Sequence, residues 1–391
     1  MTSAPAIIEL EEGTLVADQY EVERVVGKVG TCMLVKVRSV RHGGRLVLKH
    51  LTPKACAEPF AVEQFLNAAR VAMRLRSEHT AHTVDAGTLE TGLPYLVTES
   101  FQGAELRDIL RVRGSLPRAE AIAVVLQAAH ALAEAQRQGL AHGSLSPSAL
   151  FLTRGPEGQT LAKVLDFGSS ATLRVNPFAV RLRHWTQGTA VFSESIRLWD
   201  TLACTAPERL RDFADATHAG DVWSLGAVLY ELLLGKAPFS ATSAPALVAA
   251  VVADEPRFEG ALARRLPREL KRVILRCLSK SPTARFQSAH ELAVALRRFA
   301  PKESRPLVDR IARIQAHDPE QAPWFTASRG RERRSLATPA GRRRLTASLL
   351  LLAIGVVAGA FAGKSATRSL TAPARTSAHA GVHVGQSASL K

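Results

Sequence analysis

Along residues 20 to 100 the apolar positions come in short bursts. YEVERVVG (20–27), CMLVKVRSV (32–40), RLVLKHL (45–51) and PYLVTES (94–100) are β-branched runs split by glycine and charge. Such runs, broken at turn residues, predict antiparallel strands. Between the third and fourth, PFAVEQFLNAARVAMRLR (59–76) changes to a helical period. From residue 105 onward helices dominate. Ile122, Val125, Leu126, Ala129, Leu132 and Ala133 fall on one helical face, with Gly139 as its stop. GDVWSLGAVLYELLLG (220–235) is apolar nearly all round, which predicts a central buried helix. A small sheet with one helix, then a larger helical half, is a bilobal α+β layout. The lobes are read at 20–100 and 101–301, behind a loose leader over 1–19.

A different apolar pattern stands near the C-terminus. LTASLLLLAIGVVAGAFAG (345–363) runs nineteen residues without a charge, about 30 Å as a helix, enough for a bilayer core. Arg342, Arg343 and Arg344 abut one end, with Arg329, Arg331, Arg333 and Arg334 close behind; Lys364, Arg368 and Arg375 follow the other end. The larger positive cluster predicts a single membrane anchor with the N-terminal body in the cytoplasm and the 364–391 tail outside. That tail is too short for a folded sensor domain. Residues 302–344 read as a basic juxtamembrane linker against anionic headgroups, with one helical spacing at Leu307, Ile311 and Ile314. Gly355, Gly359 and Gly363 share one helix face, a small-xxx-small surface suited to a homodimer.

Charge and cysteine change this picture little. The formal net charge is +16, but most of the excess sits after residue 328, and no basic-aromatic stripe precedes it, which argues against nucleic acid. Cys32, Cys56, Cys204 and Cys277 are far apart, without a metal-ligand spacing, and read as reduced thiols. MTSAPAIIELEEG carries acids and no basic n-region, so it is not read as a signal peptide.

Several landmarks then follow one another in order. Lys49 lies on the third run, in VLKHL. Asp166-Phe167-Gly168 follows the hydrophobic KVL, and Ala206-Pro207-Glu208 comes forty residues later. Asp221 sits in GDVWSLG and Arg285 in SPTARF. In this order and on these elements the chain resembles bacterial membrane-anchored serine/threonine protein kinases, over Tyr20 to Pro301. The resemblance implies the kinase fold, with a nucleotide held by Gly27, Leu34, Lys49, Glu99 and Asp166 and a single magnesium ion on Asp166. It also implies structural roles for His142, Phe167, Glu208, Asp221 and Arg285.

The chemistry of the family is another matter, because a fold does not license a function. In GKVGTCML, Gly27 matches the first glycine of G-x-G-x-x-G, while Val29 and Cys32 replace the others; their side chains are expected to stiffen the turn or obstruct the phosphates. Ala68 stands where a helix glutamate would orient Lys49, and Glu63 is more than a turn away. AHGSLSPSALFL (141–152) aligns with the catalytic loop H-R-D-L-x-x-x-N. His142, Leu145 and Pro147 match. Gly143 replaces the arginine, Ser144 stands in the general-base position, Ser146 in the catalytic-lysine position, and Ala149 in place of the second magnesium ligand. A serine hydroxyl is a very weak base and carries no charge to orient the attacking oxygen.

The sequence is therefore identified as a degenerate, pseudokinase member of the family. It is expected to act as a scaffold or allosteric partner of other proteins, namely active kinases or their substrates. Two alternatives stay open: an active kinase using atypical residues, and an ATP-binding sensor without turnover. The basic stretch 174–208, with Thr186, Thr189, Ser193, Ser195 and Thr201, reads either as a surface loop or as a docking surface or substrate for an active kinase.

Overall fold

The computed structural model describes residues 10–29, 31–167, 199–212 and 216–316. The four apolar runs all form strands. β1 (Leu15–Val16), β2 (Tyr20–Val29), β3 (Cys32–Ser39), β4 (Arg45–Leu51), β5 (Thr83–Thr88) and β6 (Pro94–Glu99) make one antiparallel sheet, in the order β1-β2-β3-β4-β6-β5. On β3 the period of two is explicit: Val35 and Val37 are buried while Lys36 and Arg38 face water. β5 escaped the sequence pattern because TVDAGT is polar and contains glycine. A backbone ladder with β6 holds it in the sheet, and side-chain hydrogen bonds add to this. Asp85 accepts from Tyr20 Oη (2.9 Å), Tyr95 Oη (3.1 Å) and Gln19 Nε2 (2.9 Å).

After β4 come α1 (Pro53–Cys56) and α2 (Pro59–Ala72), so the predicted helix over 59–76 stops a turn early. α2 buries Phe65, Ala68 and Ala69. The larger half holds α3 (Leu106–Arg113), α4 (Arg118–Arg137) and a second sheet of β7 (Gly103–Glu105), β8 (Leu150–Arg154) and β9 (Thr160–Val164). It continues through α5 (Pro207–Asp212), α6 (His218–Leu234), α7 (Ala244–Ala253), α8 (Gly260–Arg265), α9 (Arg268–Cys277), α10 (Ala289–Leu296) and α11 (Arg305–Ala316). This is the expected bilobal arrangement.

α4 and α6 form the core axis of the larger half. α4 is buried beyond its predicted face: Val124, Ala128, Ala131 and Ala135 are also within 1% of full burial. Its many alanines let α6, α10, α11 and β9 close in from several sides. α6 approaches α9 just as tightly, since a Cβ added at Gly226 would lie 2.3 Å from Cys277 Cβ. Gly235, at φ +71°, ends α6 in the left-handed conformation that favours glycine. Arg285, 1% exposed, donates to both oxygens of Glu208 (2.8 and 2.7 Å) and to the carbonyls of Ser279 (2.7 Å) and Ala219 (3.0 Å). Its guanidinium lies 5.0 Å over the Trp223 ring. Glu208 and Arg285 thus form an ion pair in which the arginine is buried and the carboxylate is partly exposed.

Two boundaries move. The stretch read as a loose leader contributes β1, which pairs with β2, and Val16 is buried beside Leu10 and Ala17. The stretch read as a linker from 302 onward begins as part of the body. α11 packs on α4 and α10, with Leu307, Val308 and Ile311 buried, because its apolar residues share one face behind a charged one. No described helix is long and apolar enough to cross a membrane. The candidate anchor at 345–363, its Gly355, Gly359 and Gly363 face, and the tail lie outside the described residues.

Ile311→Ala should therefore lower the unfolding free energy by about 2–5 kcal/mol, the range for truncating a buried isoleucine to alanine. Urea unfolding checks this, since the same change in a solvated linker shifts stability by less than about 0.5 kcal/mol.

Candidate functional site

Lys49 lies mid-strand on β4, paired with Leu34 on β3 and Leu96 on β6. It is 5% exposed, and its ammonium is ion-paired with Asp166. A buried ammonium requires a compensating charge. α2 does not supply one, because Ala68 is buried and Glu63 faces water. Asp166, just after β9, takes that place from the other lobe. Its backbone sits at φ +63°, in the left-handed region that aspartate enters more readily than most side chains.

Gly27 lies opposite Leu34, at φ +133°. Pairing continues to Val29 and Cys32, so the hairpin closes in two residues. Cys32 departs from expectation. It is 2% exposed and packs among Leu51, Ala55 and Phe65, so its side chain fills a small core beneath the turn instead of obstructing the phosphates. Burial pushes its thiol pKa up. Glu99 ends β6. Its amide donates to the His82 carbonyl (3.0 Å), and its carboxylate lies 3.7 Å from Lys163 Nζ on β9.

The loop at 142–149 is held from below. Asp221, in the first turn of α6 and fully buried, accepts the amide N–H of His142 (2.9 Å) and of Gly143 (2.8 Å). Burial pushes its carboxyl up to about 6 against the opposing effect of these two donors. The His142 ring is placed on both nitrogens. Nε2–H donates to the Leu165 carbonyl (2.7 Å), and Nδ1 faces the Ser144 amide (3.3 Å). This fixes a neutral tautomer, and burial lowers the imidazole pKa to about 4. The ring meets Phe167 edge-on, centroids 5.0 Å apart. Gly143 adopts φ +72°, a conformation that suits glycine.

The replaced positions are small, and two of them are sealed. Ser146 is 2% exposed and Ala149 7%, while Ser144 is half-buried. The Leu165 amide donates to the Ala149 carbonyl (2.9 Å), which ties the loop to the residue before Asp166. Sequence reasoning missed a network beside this loop. Ser148 Oγ donates to Asp200 (2.8 Å), Asp200 pairs with Arg107, and Arg107 reaches Glu231 Oε1 (3.0 Å). A signal existed in Glu231, an acid inside the apolar run of α6, which needs a partner once buried. Burial pushes its carboxyl up, and the Arg107 guanidinium opposes this.

Among the described residues no group of three or more His, Cys, Asp or Glu side chains could hold a metal. Nucleotide-bound magnesium takes one or two carboxylates and fills its sphere with phosphate and water. Asp166 offers one carboxylate, already shared with Lys49, and the Ala149 methyl offers no ligand. Among the described residues beside this loop, Asp166 is the carboxylate that would hold such an ion.

Residues 20–295 match the sequence profile of the protein kinase domain. The chain is 28% identical over 374 residues to the probable serine/threonine-protein kinase PknB of Corynebacterium glutamicum, covering 89% of this chain and 54% of that protein. It is 30% identical over 289 residues to the serine/threonine-protein kinase PknB of Mycobacterium leprae, with 72% and 43% covered. It thus spans about half the length of the curated relatives it matches. Among solved structures it is similar in fold to the Mycobacterium tuberculosis PknI kinase domain, with a TM-score of 0.54 and 24% identity. That match covers 74% of this chain and 100% of the other.

The buried imidazoles have a measurable consequence. In the folded chain His142 takes up its proton near pH 4, against an ordinary value of 6.5. The unfolded chain therefore binds more protons between these values. Stability is fully present above pH 6.5 and falls as the pH drops toward 4, by up to roughly 3 kcal/mol from this ring. His79 and His130, both lowered to about 4 mainly by burial, act in the same direction. The urea midpoint measured across pH 4–6.5 should fall with acidification, and His142→Gln should flatten the slope.

Proposed function

The chain belongs to the protein kinase family, and from that premise we propose that it is a membrane-anchored Ser/Thr-kinase-like protein that does not transfer phosphate. It is a pseudokinase, acting as a scaffold or allosteric partner for other proteins in phosphorylation signalling. One observation carries the reading. The loop at 142–149 is fixed in place by Asp221 and His142, yet Ser144 stands where a carboxylate would take the proton of the substrate hydroxyl. Without that base, and without ligating or cationic groups at positions 146 and 149, the positioning and charge stabilisation on which phosphoryl transfer depends are missing together. Losses of this kind are not additive, since removing one member of a cooperating set already costs orders of magnitude. Asp200 is no replacement base, because it is engaged by Arg107 and Ser148.

The anchor is supported by the uncharged run at 345–363 and its arginine-rich N-terminal flank. That asymmetry favours a cytoplasmic body. The relatives are named as kinases, and their activity is theirs.

A second reading, nucleotide binding without turnover, is favoured by the Lys49–Asp166 pair. Lys49 is the chain's candidate contact to the phosphates. Asp166 would hold the one magnesium ion, which supplies charge neutralisation when bound.

The full chain, incubated with radiolabelled ATP and a generic protein substrate, should incorporate no label above an Asp166→Asn control. Incorporation that Asp166→Asn abolishes sinks the pseudokinase reading. A rise in melting temperature with ATP, lost in Lys49→Met, selects the sensor form.

A further inference from the structure

The larger half carries a groove of about 880 Å³ between α9, α10 and the start of α11. Five arginines line it, Arg272, Arg276, Arg297, Arg298 and Arg305, against the single acid Glu269. The sequence of α9 explains one wall. In RELKRVILRC, Leu270, Ile274 and Cys277 turn inward, which leaves Arg272, Val273 and Arg276 on the outer face. The remaining lining is apolar, from Phe286, Phe299, Val294 and Ala295. Val294 is 51% exposed.

The charges in this groove are mostly unspent. Arg297 is paired with Asp309 (2.8 Å). Among the described residues no carboxylate lies in ion-pair reach of the other four arginines. Two of them stack on the groove's own rings, Arg276 at 4.1 Å from the Phe286 centroid and Arg298 at 5.1 Å from that of Phe299. A stacked guanidinium keeps its N–H edge available for a carboxylate, and the stacking limits its motion beforehand. Like charges gathered in one concavity repel one another until an anion arrives.

From this complementarity we infer that the groove docks an acidic peptide segment of a partner protein, one whose carboxylates meet the arginines while its bulky apolar side chains enter the groove. Arginine beside aromatic surface is the composition that carries binding energy at protein interfaces. Concavity and an apolar floor favour inserted side chains over a flat layer of headgroups. The groove shares no residue with Lys49, Asp166 or the 142–149 loop, so the inference stands or falls apart from the reading of the nucleotide site.

The probe is a fluorescein-labelled dodecapeptide of alternating glutamate and leucine, titrated by anisotropy against the full chain. Saturable binding is expected, weakened by about tenfold or more in the charge-reversed R272E/R276E chain and also weakened in Val294→Asp. The melting temperature should stay unchanged; if R272E/R276E lowers it, R298E/R305E serves instead. Twelve-residue polyglutamate should bind about tenfold more weakly, because it has no apolar side chains to insert. Unchanged affinity in the reversed chains overturns the inference, as does equal binding of polyglutamate. Displacement of the peptide by phosphatidylglycerol vesicles but not by phosphatidylcholine vesicles also overturns it, by assigning the groove to lipid.

Discussion

A carboxylate with no solvent around it organises this molecule. Asp221 accepts the amides of His142 and Gly143, and those two bonds pin the start of the loop, which follows α4, to α6. From there the order is relayed. His142 donates to Leu165, Leu165 donates to Ala149, and Asp166 follows directly. Asp166 pairs with Lys49 on the sheet of the smaller lobe. A desolvated charge costs several kcal/mol if left alone, so the backbone donors are obligatory. Geometry that starts in the core of one lobe thus ends on a strand of the other.

That relay runs through the Asp221 carboxylate, the neutral His142 ring, backbone amides and carbonyls, and the Lys49–Asp166 pair. The parts that perform chemistry in the family are side chains hung upon it, and these are the parts exchanged for Ser144, Ser146 and Ala149. The exchange is cheap for folding: small side chains bury without clash, and no unpaired charge remains. The shape of this loop therefore does not depend on which polar side chains it carries.

How much of this could be read from the chain depended on locality. The strands, Lys49 and the buried α6 were legible because alternation and continuous apolarity are local signals. The 142–149 loop was legible because its apolar residues persist around the replaced ones. β5 was not, since its place depends on its ladder with β6 and on Asp85 reaching tyrosines on two other strands. α11 read as linker because its polar face dominates the composition, although Leu307, Val308 and Ile311 recur at helical spacing. The burial of Cys32 was not legible, because a glycine-loop pattern does not say which way a side chain points. The Arg107–Asp200–Glu231 network joins residues far apart in the sequence, and the arginine-lined groove, although its lining lies between 269 and 305, takes form only once three consecutive helices pack.

The backbone of Asp166 carries a cost of its own. A non-glycine residue in the left-handed region carries strain of order 1 kcal/mol. Glycine would relieve that strain at once and fill the turn equally well. It would also remove the carboxylate that pairs with the buried Lys49 ammonium, which costs more than the strain. The awkward conformation at φ +63° is therefore the lesser of two penalties, and each residue holds the other in place. Neither can be exchanged alone without loss, so a charge on β4 and a backbone angle in the other lobe are set together.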